Sequence, residues 1–169
     1  MNKLAIALTA ALSLGAAASA NAATADITFA GEILETTCSI TVGGSGTAVA
    51  LNRIAVANMG GPAANTPFTL TAGNTTTGCP AGTLKMRFSG AEIDTDGTLK
   101  NATEATDAKN VALRLYHGTT ELDLNTAEIS AVVAGGIATY NMNARYVQVG
   151  SNAVEHGAFS TGVKVDVFY

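Results

Sequence analysis

Ala25-Asp-Ile-Thr-Phe-Ala-Gly-Glu-Ile-Leu-Glu-Thr-Thr-Cys38 is the stretch whose reading decides the fold. Ala25, Ile27, Phe29, Gly31 and Ile33 fall on one face of an extended chain, and Asp26, Thr28, Ala30 and Glu32 on the other. A period of two marks a half-buried strand. Terminal segments are poorly ordered unless something ties them down. A leading strand that carries Ile27 and Phe29 therefore needs a sheet to receive it, and the identity of that sheet decides what the chain does.

Residues 1–22 precede this strand and read as a secretion signal. Asn2-Lys3 is a short basic start, and Leu4 to Leu14 is an apolar run too short to span a membrane as a helix. Ala20-Asn21-Ala22 offers a cleavage site that starts the mature chain at Ala23, and Ala18-Ser19-Ala20 is a second candidate. The remainder, residues 23–169, is about one domain long. The formal net charge is −4, and loss of Lys3 makes the mature chain one charge more negative. With no basic patch, nucleic acid is excluded as a partner class. Only 13% of residues are charged and mean hydropathy is positive, a balance that suits a subunit burying much of its surface in an assembly. Two cysteines, Cys38 and Cys79, follow the secretion signal. An even count in an oxidising compartment predicts one disulfide, the alternative being two buried free thiols.

Along the rest of the chain, short alternating segments recur between turns. The first strand runs on from Ile33 towards Cys38 and Val42, and Gly43-Gly44-Ser45-Gly46 is a turn. Thr47 to Ile54 alternates loosely and is expected to be a strand, and Asn58 to Asn65 is a loop around Gly60-Gly61-Pro62. Strands are expected at Thr66–Thr71, at Leu84–Phe88 with Leu84, Met86 and Phe88 inward, and at Asn110–His117 with Val111, Leu113 and Leu115 inward. Glu121–Leu124 is a short candidate, Thr126–Ala134 is ambiguous, and Ile137–Val149 is a long strand with Tyr140, Met142, Ala144 and Tyr146 in one row. Val163, Val165, Val167 and Tyr169 alternate to the end. Many short strands and no amphipathic helix after residue 22 predict an all-β sandwich.

In order, the chain shows a signal, the arm Ile27-Thr-Phe-Ala-Gly-Glu-Ile33, Cys38, Cys79, an Ala144-Arg145-Tyr146 strand and a final alternating strand ending in aromatics. This order resembles the pilin subunits of chaperone–usher (type 1-like) fimbriae across essentially the whole mature chain. The resemblance implies an all-β, incomplete immunoglobulin-like β-sandwich completed by donor-strand exchange. Residues 1–22 would be the signal peptide, 23–34 an N-terminal donor-strand extension, and 35–169 the pilin domain. A periplasmic chaperone would first supply the extra strand, and an outer-membrane usher would pass the subunit to a cell-surface fimbrium. There the arm of an identical or related pilin subunit would take its place, and the fibre would support cell adhesion. Such strand addition is a known recognition mode, and chaperone–pilin complementation is one of its established instances.

The residues fit that role physically. Ala25, Ile27, Phe29 and Ile33 present apolar side chains to a groove, and Gly31 permits close backbone approach. Burial of Ile27, Phe29 and Ile33 contributes roughly 1.5–3 kcal/mol each. The receiving groove is expected along Val163, Val165 and Val167, within a C-terminal strand that a chaperone would recognise. The family commonly carries Tyr just before its last residue. Here Phe168 is penultimate and Tyr169 is last, so which of them faces the groove is left open.

Other chemistry finds little support. His117 and His156 are the two histidines, and no nucleophile elbow accompanies them. Asp94-Thr-Asp-Gly97 opens like a calcium loop but lacks the later acidic ligands. Asn74-Thr-Thr76 and Asn101-Ala-Thr103 read as loop residues. No catalytic residue, metal ligand or cofactor is expected. The competing reading is a secreted monomeric carbohydrate- or protein-binding sandwich, weakened by the absence of Trp.

Overall fold

Alternating side chains set the strands of this chain, and the computed structural model describes residues 38–76, 78–103 and 107–169. The signal and the arm residues Ala25, Ile27, Phe29, Gly31 and Ile33 lie outside the described residues. Among the described residues there are nine strands: β1 (Ile40–Val42), β2 (Asn65–Ala72), β3 (Thr83–Ser89), β4 (Leu99–Lys100), β5 (Val111–His117), β6 (Thr120–Glu121), β7 (Glu128–Val132), β8 (Ala138–Gln148) and β9 (Lys164–Phe168).

The first sheet has the order β1-β2-β8-β5-β4, with β6 paired to β5 beside it. The second has the order β7-β3-β9. All pairings are antiparallel. The long strand β8 lies between β2 and β5, with Met142 opposite Phe68 and Ala144 opposite Leu115. Val111 to Leu115 and Ala138 to Ala144 point their apolar rows toward the second sheet, whose Leu84, Met86 and Phe88 point back. The layers meet in one core, as a sheet with one apolar face must bury it against another. Tyr140, fully buried, crosses between them and donates its hydroxyl hydrogen to the Leu84 carbonyl at 2.7 Å. A buried phenol without such a partner would be destabilising, so this bond fixes the spacing of the layers.

One expected strand is not formed, and one strand was not expected. Thr47–Ile54 forms no ladder with any described residue. It is held instead by Asn52, whose amide donates to the Asn65 carbonyl at 2.8 Å and whose backbone N–H donates to Thr66 Oγ1 at 3.1 Å. β4 is a strand of two residues where no strand was expected. Cys38 and Cys79 are joined in a disulfide, with Cα atoms 5.3 Å apart.

Candidate functional site

β9 pairs with β3 along one edge, and among the described residues nothing pairs along the other. An edge strand presents a row of N–H and C=O groups able to template another strand. Between this edge and the Thr47–Val56 segment the sandwich opens into a groove of about 990 Å³.

The groove is built from both layers. Val163 and Val165 line it from the C-terminal segment, with Phe88 beside them on β3. Phe68, Leu70, Leu113 and Leu115 form its floor from the first sheet, and Val49 and Leu51 stand on the far side. These are apolar side chains, so the groove suits an extended segment that presents apolar residues at every second position.

The backbone beside the groove is anchored by hydrogen bonds. The Ala158 carbonyl accepts from Ala108 N–H at 3.1 Å and from the Asn101 side chain at 3.1 Å, and the Ser160 carbonyl accepts from Ala102 N–H at 2.7 Å. Ser160 N–H donates to Asn101 Oδ1 at 2.9 Å. The Ala158 carbonyl and both backbone groups of Ser160 are thus engaged by Asn101, Ala102 and Ala108. Phe159 and Thr161, one step out of phase, line the groove. The Thr161 hydroxyl is enclosed there and has no hydrogen-bond partner among the described residues.

The predicted C-terminal residues separate by parity. Val163, Val165 and Val167 all pack on the core, and the first two line the groove. Val167 sits opposite Met86. Phe168 takes the outer face, with the Arg87 guanidinium 4.6 Å and the Lys85 ammonium 6.0 Å from its ring centroid. Both cations also hold Glu128, at 2.9 Å from Lys85 and 2.7 Å from Arg87, and these hydrogen bonds keep its carboxyl below the usual range. Tyr169 shares the parity of the valine row and places its hydroxyl 3.4 Å from Cys38 Sγ.

Sequence reading did not extend the inward row back to Phe159 and Thr161. Their alternation with Val163 was the available signal, but Gly157 and Gly162 interrupt the pattern. Phe159 packs edge-on against Tyr146, ring centroids 5.3 Å apart, and burial pushes the Tyr146 hydroxyl up in pKa. The far wall at Val49 and Leu51 comes from a segment more than a hundred residues away in sequence, which no local pattern links to β9. Elsewhere, no group of three or more His, Cys, Asp or Glu side chains among the described residues is arranged to hold a metal ion.

A family model described as fimbrial protein matches residues 27–169. The chain is 32% identical over 139 residues to the major fimbrial subunit SMF-1 of Stenotrophomonas maltophilia (strain K279a), covering 79% of this chain and 76% of that relative. Among solved structures it is similar to the P pilus rod subunit PapA, with a TM-score of 0.60 at 15% identity, covering 78% of this chain and 98% of that one. It is also similar to a chaperone–usher pilus studied for its rod uncoiling, with a TM-score of 0.58 at 16% identity, covering 88% and 96%. At these identities the two structures show a shared immunoglobulin-like fold.

Proposed function

The chain belongs to the fimbrial protein family and is a structural fimbrial subunit; on that premise we propose that it polymerises head to tail, residues 23–34 of one copy entering the groove of the next. The observation that carries this reading is the apolar groove along the open edge of β9. Its Val163 and Val165 face the sandwich interior, and its Thr161 hydroxyl lacks a partner among the described residues.

The donor supplies what that edge needs. Its backbone pairs with the unpaired side of the C-terminal segment, and Ala25, Ile27, Phe29 and Ile33 fill successive sites while Gly31 leaves one without a side chain. A buried edge with unmet backbone groups is destabilising, and strand addition satisfies them. Because donor and acceptor are different surfaces, each junction leaves one of each free, and an interface that does not close makes a filament. Before assembly, a periplasmic chaperone would cover the same groove and an outer-membrane usher would receive the subunit, placing the finished fibre on the cell surface. Membership of a family of structural subunits argues for scaffold rather than catalyst, and it displaces the reading of a free binding module.

The test is deletion of residues 23–33. The shortened chain is expected to be retained by its chaperone and to be absent from fibres examined by negative-stain microscopy and immunoblotting. Normal polymerisation of the deleted chain would refute strand donation.

A further inference from the structure

On the outer face of the first sheet, away from the groove, Asn65, Tyr116, Gly118, Thr119, Asn143 and Arg145 enclose a pocket of about 300 Å³. Its centre is Arg145. The Nε–H of this residue donates to Asn65 Oδ1 at 2.7 Å, and its guanidinium lies 5.1 Å from the centroid of the Tyr116 ring. Those two contacts fix the plane of the guanidinium while leaving its terminal N–H groups for something else.

The pattern of ion pairs says what that is. Arg87 holds Glu128, and Arg114 holds Asp96 at 3.4 Å and Glu121 at 2.9 Å. Arg145 stands directly across the β5–β8 ladder from Arg114, yet no carboxylate among the described residues pairs with it. Like charges opposite one another on a sheet are destabilising, and here both nearby carboxylates contact Arg114 and neither contacts Arg145. A partly buried, stacked guanidinium presents a rigid fork that matches a carboxylate and forms strong, charge-assisted hydrogen bonds to it.

We propose that this pocket is a carboxylate-binding site anchored by Arg145. The carboxylate is that of a free sugar acid or of an Asp or Glu side chain on a second copy of the chain, and the chemistry of recognition is the same for both.

Saturation-transfer NMR on fibres sheared from cells, with sodium glucuronate as the probe and glucose as the neutral control, tests it. If the source is a free sugar acid, glucuronate shows saturation and glucose does not. Arg145→Gln then reduces apparent affinity by about tenfold or more, the loss of charge-assisted hydrogen bonds. Asn143→Asp does the same while keeping Arg145, because it sets a carboxylate beside the guanidinium. This second variant decides the matter if Arg145→Gln fails to reach the fibre. If a second copy supplies the carboxylate, glucuronate gives no signal on unaltered fibres, and Arg145→Gln or Asn143→Asp changes fibre diameter in electron micrographs. Glucuronate binding that both variants leave unchanged overturns the proposal. So does absence of binding together with unchanged fibre diameter.

Discussion

Gly73 shows how a single residue holds the corner at the disulfide. Its φ is +82°, and a Cβ there would strike the Gly136 carbonyl oxygen and come within 2.9 Å of Cys79 Sγ. Its N–H donates to the Ser39 carbonyl at 2.9 Å, while Cys79 N–H donates to the Gly136 carbonyl at 2.8 Å. Backbone therefore packs directly on the Cys38–Cys79 bridge with no room for a side chain. Gly73→Ala is expected to destabilise by more than the roughly 1–2 kcal/mol of a left-handed alanine alone, because the clash adds to it. A guanidinium titration followed by circular dichroism should show a lower midpoint with unchanged slope. An unaltered midpoint would mean the corner relaxes freely. At the same scale, Phe168 and Tyr169 show the limit of the sequence. Alternation placed them on opposite faces, but the choice between faces depends on Lys85 and Arg87 across the β3–β9 ladder.

Among the elements, β9 carries the most consequence. Its neighbour on one side is β3, and its inward row continues the groove lining from Phe159 through Val165. Val165→Asp puts an uncompensated charge on that lining, where a valine contributes roughly 1.5–3 kcal/mol by burial and a buried charge is strongly unfavourable. The variant is expected to lose incorporation into fibres, measured by immunogold labelling of cells also supplying the unaltered chain. Asp166, exposed on the opposite face, is the control, and Asp166→Asn should incorporate normally. Equal incorporation of Val165→Asp would detach the groove from assembly. Strands β3, β5, β8 and β9 were legible because their apolar residues alternate over five or more positions, which a one-residue slip would turn to solvent. Thr47–Ile54 misled because its alternation is real but its described contacts run through Asn52 rather than a ladder. β4 was too short to show a period. Sheet order was not legible, since β8 meets β2 and β3 meets β9 across long separations that local pattern does not encode. The candidate site divided in the same way: Val163 and Val165 were readable from their own strand, and the floor and far wall were not.

For the whole molecule, the proposed strand donation makes connectivity decisive: if the leading segment complements the groove, chain order alone decides whether the two meet within one copy or between copies. The described domain has an apolar groove beside its last strand, and the segment expected to complement it precedes Cys38. Moving residues 23–33 to follow Tyr169 through a short Asn-Gly turn changes that connectivity without altering either surface. A two-residue turn of this kind favours a hairpin, so the relocated segment would run antiparallel to β9 along its open edge. A short tether gives an effective concentration in the millimolar range, well above that of a second subunit in dilute solution. The rearranged chain is therefore expected to be a soluble monomer by size exclusion with light scattering, to form no fibres, and to resist guanidinium better than the chain merely deleted of 23–33. The deleted chain, with its groove exposed to water, should aggregate when purified without a partner. If the rearranged chain aggregates as readily as the deleted one, the apolar row Ala25, Ile27, Phe29 and Ile33 does not complement the groove in that orientation. If it stays monomeric and the deletion polymerises, the fibre is held by some surface other than this one.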